Sequence, residues 1–174
     1  FFETNQKSAN IWGMPMEWGF SGFYSSLEIG AAAINYSKIS GDDKFDGMVQ
    51  DIIDYSFGKN NWGVTFSATP RLKNSVINFN LPIYKLQKHL FPEGAIALGA
   101  ADTESHDGES KWILDDIRAN YCYPFNTKKG KFFDHADDYM TMDAWIFGAA
   151  DNIYLLTLAT TKGEKRSEEH TSEL

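Results

Sequence analysis

The stretch ISGDDKFDGMVQDIIDYSFGKNNWG, residues 39–63, holds the most regular pattern in the chain. Phe45, Met48, Val49, Ile52, Ile53 and Phe57 recur at intervals of three and four, which sets them on one stripe of a helix. That spacing predicts a helix over 42–57. Ser40 or Asp42 supplies a side-chain oxygen for the unpaired N–H groups at its start, and Gly58 suits the left-handed stop position. Upstream, a helix over 22–38 puts Tyr24, Leu27, Ala31 and Ile34 on one face. The small-sided run Gly30-Ala31-Ala32-Ala33 lets a neighbouring helix come close. With only Ser40-Gly41 between them, the two helices are predicted to lie antiparallel.

Downstream, a third helix is predicted from between 138 and 141 to about 159, with Met142, Trp145, Ile146, Ala149, Ile153 and Leu156 on its buried face. A weaker pattern over 111–121 aligns Trp112, Ile113, Ile117 and Tyr121. Between these helices lie long irregular stretches, 59–91 and 92–110, in which only 64–68 reads as a short strand. Loops of that length inside a domain usually carry function. The class is therefore all-α, with helix hairpins and elaborated loops at one end.

The 174 residues are enough for one domain with its own core. A net charge of -8 repels phosphate backbones and anionic membranes, and no apolar run is long enough to span a bilayer. Neither nucleic acid nor membrane is expected as a partner. Aromatic residues make up 15%, which suits a bulky core or a surface that stacks on sugar rings. Cys122 has no second cysteine to pair with and reads as a buried, inert thiol. No His or Cys pair has zinc spacing, and neither Gly58 nor Gly63 begins a phosphate-cradling loop. The cluster Asp134-His135-Ala136-Asp137-Asp138 matches no defined calcium loop and reads as a solvated helix start. No cofactor is expected, with a structural calcium left open. The chain starts at Phe1 without Met or a signal-peptide pattern, so it is expected to begin in mid-protein. Residues 166–174, RSEEHTSEL, match the translated read-through of a common sequencing adapter. They are expected to be a disordered, non-native tail behind a single unit at 1–165.

Four segments in order resemble glycoside hydrolase family 9, the cellulase type. Residues 39–63 are similar to the family's hairpin link and the helix that ends in "DYxLGxNPxG", with Gly41, Asp42, Asp54, Tyr55, Gly58, Asn60, Gly63 and Phe66 at matching positions. GMPMEWGFSG (13–22) resembles the Trp- and Gly-rich segment before that hairpin. FPEGAIALGAAD (91–102) resembles the "PGxLxGGPN" loop, and DDYMTMDAWIFGAADNIYLLTLA (137–159) the closing "DYxxNEVAIDYNAxF" helix. The resemblance implies an (α/α)6 toroid, of which this chain supplies only the C-terminal portion. An incomplete toroid is expected to expose apolar helix faces and to fold poorly or aggregate alone.

The resemblance further implies inverting hydrolysis of β-1,4-glucans or related β-glycans, with a polysaccharide or oligosaccharide as the partner and secretion or the periplasm as the location. Inversion needs two carboxylates flanking the scissile bond, far enough apart to admit a water. The family's base lies in a paired-Asp motif with no counterpart here. Its acid, the Glu of "NE", corresponds to Asp143, with Met142 at the Asn position. Asp143 reads either as that acid or as a first-turn carboxylate that stabilises its helix. Trp18, Trp62, Arg71, Asp102 and Tyr139 fall on the segments matched to the cleft side and are candidate substrate contacts. No counterpart of the family's "HHR" occurs between Ala68 and Pro82. Two rival readings follow from the departures: a relative that binds carbohydrate without cleaving it, and another helical-toroid enzyme acting on a different polysaccharide.

Overall fold

A computed structural model describes residues 1–15, 22–81, 92–101 and 120–172. Its helices are α1 (Phe2–Lys7), α2 (Gly22–Ser40), α3 (Asp46–Ser56), α4 (Tyr139–Met142) and α5 (Ile146–Ser172), with a 3-10 turn at Tyr123–Phe125. Among the described residues there is no strand, only isolated bridges. The chain is mostly helical, as its periodicity implies.

The stripe on α2 is where the spacing puts it: Tyr24, Leu27, Ala31 and Ile34 are buried, joined by Phe23, Gly30 and Ala33. On α3, Met48, Val49 and Ile52 are buried, and Phe45 is buried just before its start. That helix begins at Asp46, four residues after its expected start at 42. Asp42 instead accepts from the Lys44 N–H at 3.1 Å and from the Tyr36 hydroxyl at 3.1 Å, which tightens the link and leaves α3 to start at Asp46. At the other end, Gly58 has φ +119°, the positive value expected of a residue past a helix terminus.

The packing directions follow from contacts spaced along the helices. Tyr24 lies beside Gly148, Gly30 beside Leu155 and Ser37 beside Lys162, so α2 and α5 run parallel. Phe23 lies near Tyr55, Gly30 beside Ile52, and Lys162 bridges Ser37 to Asp46, so α3 runs antiparallel to both. A Cβ at Gly30 would stand 3.1 Å from Leu155 and 3.3 Å from Ile52, so the small residue sets how closely the three helices meet.

The single third helix expected over 138–159 is instead two. Asp143 has φ -65° and ψ 146°, an extended conformation that ends α4. The backbone there is held from outside: Asn80, Leu98 and Gly99 donate to the carbonyls of Met142, Asp143 and Thr141 at 2.9, 3.0 and 3.2 Å. Those bonds take the carbonyls that a continuing helix needs. The break also changes the buried face of α5. Ile146 and Ile153, expected inside, are 79% and 66% exposed, while Gly148, Asn152 and Leu155 turn inward. With Phe147 and Tyr154 they leave an apolar stripe on the surface.

The 166–174 tail is not irregular as far as it is described. α5 continues through it to Ser172. Adding residues to an existing helix costs far less than starting one, and Arg166, Glu168 and Glu169 are good helix formers. Of the helix expected over 111–121, residues 111–119 lie outside the described residues, and Tyr121 sits in a turn.

Candidate functional site

The irregular segments stack against one another at the end of the layer where α2 and α5 begin and α3 ends. Residues 65–68 form the middle of the stack. On one side Thr65 and Val76 exchange bonds with Asn74 and Thr65 at 2.9 and 3.1 Å. On the other, Ala68 donates to Ala95 at 2.8 Å and Ala97 to Phe66 at 2.9 Å. Leu98 and Gly99 then carry the stack on to Asp143 and Thr141, and Ala101 pairs with Lys131. The strand expected over 64–68 is reduced to the single bridges Thr65–Ser75 and Ser67–Ile96. Gly99 has φ +83°, and a Cβ there would fall 2.8 Å from Phe23, so this crossing requires glycine.

An aromatic chain ties the stack to the helices. Phe23 meets Phe66 at 5.1 Å, Phe66 meets Phe132 at 5.0 Å and Phe132 meets Trp62 at 5.6 Å. Each such pair adds about 0.5–1.5 kcal/mol beyond the apolar area it buries. The loops are thereby held on a rigid base.

Asp143 lies half-buried in the break between α4 and α5. Its Oδ1 accepts from the Ala144 N–H at 2.9 Å and its Oδ2 from the Trp145 indole N–H at 2.7 Å. The Tyr24 hydroxyl stands behind it, accepting from the Trp145 N–H at 3.3 Å and donating to the Ile96 carbonyl at 2.8 Å. Burial pushes the Tyr24 hydroxyl well above its ordinary range; the Trp145 N–H opposes this, while Asp143 and Asp151 add to it. Tyr24 is therefore a neutral strut between α2, the 96–98 loop and the start of α5. Burial, then Glu28, raises the carboxyl of Asp151 as well.

The other expected contacts separate. Trp62 is 6% exposed, its ring lies against Phe132, and its N–H donates to Asn126 at 2.7 Å. It packs in the core and offers no open face for a sugar, because the Asn60 side chain folds the 60–64 turn inward by bonding Tyr55, Trp62 and Val64. Arg71 is exposed on the 70–74 turn, and Tyr139 is half-buried as the first residue of α4. Trp18 and Asp102 lie outside the described residues.

The acidic cluster is not the solvated helix start its composition suggests. Asp138 is fully buried and caps α4, accepting from the Met140 N–H at 3.2 Å and the Thr141 hydroxyl at 2.7 Å. Asp134 is also buried and accepts from the Asn78 N–H and the Tyr121 hydroxyl, both at 2.7 Å. Its carbonyl takes the amides of Asn78 and Asn120 at 3.1 and 3.0 Å. These are protein donors arranged around carboxylates, and among the described residues no group of three or more acidic, His or Cys side chains is placed to hold a metal. Cys122 is buried, and burial pushes its thiol up to about 11, which keeps it protonated and unreactive at neutral pH.

Sequence reasoning assigned Tyr24 to a buried stripe and missed its hydroxyl bridge. It also missed the indole of Trp145 as the partner of Asp143. The only signal for the second was their spacing of two residues across what read as an unbroken helix. Comparison with family models, with curated proteins and with solved structures finds no match.

Proposed function

We propose that this chain is the C-terminal portion of an inverting β-glycan hydrolase of the family 9 type, with Asp143 as the general acid. The observation that supports the reading most is the convergence of three segments. Those that resemble the family's loops, in their described residues 60–66, 92–101 and 137–143, meet in one backbone stack, with Asp143 at its edge in a helix break. The Leu98 N–H fixes the Asp143 backbone from a separate segment, and a catalytic acid needs its position fixed by a rigid support. The base lies in a paired-Asp motif upstream of these residues. A toroid also accounts for the apolar stripe of Ile146, Phe147, Ile153 and Tyr154, which further helix hairpins would cover.

The bonds made by Asp143 favour a second reading, a relative that binds glycan without cleaving it. Both carboxylate oxygens already accept N–H groups of the chain itself, from Ala144 and Trp145. Each oxygen keeps a further acceptor site, which a glycan hydroxyl can fill without any proton transfer. The deciding experiment measures reducing ends released from soluble β-glucan by the polypeptide extended through its upstream coding sequence, beside its Asp143→Asn variant. Hydrolysis by the parent, with a loss of about 100- to 10,000-fold in the variant, supports the acid. Glycan binding without release by the parent supports the non-catalytic relative.

A further inference from the structure

A cleft of about 650 Å³ opens between the turn after α1 and the 125–129 segment. Ile11 and Trp12 contribute from the first, Phe125, Lys128 and Lys129 from the second, and Asn61 completes the lining used here. It is separate from Asp143, which does not line it.

Both sides of the cleft are pre-shaped by their own hydrogen bonds. Asn10 Oδ1 accepts from the Trp12 and Met14 N–H groups at 2.9 and 3.2 Å. Thr127 Oγ1 accepts from the Lys129 and Gly130 N–H groups at 3.2 and 3.0 Å. The Trp12 indole N–H donates to Asn61 Oδ1 at 2.6 Å, which fixes the ring across the floor of the N-terminal turn. A ligand therefore meets little ordering cost on entry.

The chemistry of the lining is mixed in a definite way. Phe125 is 53% exposed and Ile11 more so, giving open apolar surface beside Trp12. Lys128 and Lys129 bring two positive charges, and among the described residues no acidic side chain lines the cleft, although the chain as a whole carries -8. Apolar rings beside a local cationic pair suit a flat ligand with an apolar C–H face and a carboxylate on its edge. The overall negative field disfavours any densely charged polyanion, so the fit is to a ligand with isolated carboxylates.

We propose that this cleft binds a uronate residue of an acidic glycan, its ring face against Phe125 and Trp12 and its carboxylate at Lys128 and Lys129. The choice of a sugar rests on the carbohydrate-active reading above. The binding itself does not need hydrolysis.

The test uses the polypeptide extended through its upstream coding sequence. A glucuronate-containing trisaccharide and its carboxyl-reduced neutral counterpart are titrated by calorimetry and by tryptophan fluorescence. The uronate form is expected to bind roughly tenfold more tightly than the reduced form, about 1.4 kcal/mol. The difference should shrink as salt is raised. The double variant Lys128→Gln/Lys129→Gln should abolish the preference while leaving binding of the neutral sugar, and Phe125→Ala should weaken both. Equal affinity for the two sugars, an unaltered preference in the lysine variant, or no binding of either overturns the proposal. Asp143→Asn is expected to leave this binding intact. A parent that binds the uronate but releases no reducing ends counts against the acid assignment alone, and a parent that hydrolyses β-glucan but does not bind the uronate counts against the cleft alone.

Discussion

Asp134 gathers donors from two separate stretches of chain, 77–78 and 120–121. The Ile77 and Asn78 N–H groups and the Tyr121 hydroxyl all point at its carboxylate. Asp134→Ala would leave the Asn78 N–H and its neighbours buried without acceptors. Each such loss costs about 1–3 kcal/mol, and Tyr121 can partly rehydrate, so a total of roughly 2–4 kcal/mol is expected. Urea midpoints of parent and variant measure it, and a shift under about 0.5 kcal/mol would mean the donors find water. None of this was legible in the sequence. The partners of Asp134 lie up to 57 residues away, and the local composition around it is that of a polar surface turn. Asp42 was misread for a related reason: its nearby hydrogen bond to Lys44 competes with capping, and a pattern of residue types does not rank the two.

At the scale of elements, legibility follows how local the deciding interaction is. The stripes of α2 and α3 repeat every turn, so the sequence shows them before any partner is known. The helix expected through 143–145 fails because three backbone donors from elsewhere claim its carbonyls, and a hydrophobic period carries no record of them. The candidate site shares that limit. Resemblance picked out Asp143, while its partner Trp145 and the strut Tyr24 depend on the break. Gly148 is the clearest consequence for α5. An added Cβ would lie 2.0 Å from Cζ of the Tyr24 ring. Alanine favours a helix by up to about 1 kcal/mol over glycine, but overpacking of this kind costs about 1–3 kcal/mol. Gly148→Ala is therefore expected to lower the thermal midpoint. A rise would show that the ring has room to move and that propensity decides.

For the whole molecule, the buried neutral groups set an alkaline limit to stability. Cys122 is raised from 9.0 to about 11 by burial. Tyr24, Tyr55 and Tyr121 are all raised above their ordinary 10.0, in each case chiefly by burial. Tyr121 is 53% exposed, so water screens its share and it adds less than the other two. For each group the neutral form is favoured in the fold, and the unfolded chain gives up the proton first. Stability from such a group is complete below its unfolded value and is lost as pH rises through its folded value. The unfolding free energy should therefore be unaffected by these groups up to about pH 9 and fall from there as Cys122 is released. It should fall more steeply above about pH 10 as the tyrosines join, at a limit of about 1.4 kcal/mol per pH unit for each group. Urea midpoints taken at about pH 7, 9 and 10.5 trace the curve. Cys122→Ala lowers the baseline by the packing it removes, but its decline should begin nearer pH 10, and this displaced onset separates titration from packing. A parent midpoint that holds steady to pH 10.5 would mean that these groups ionise in the folded chain and that the core around them admits water.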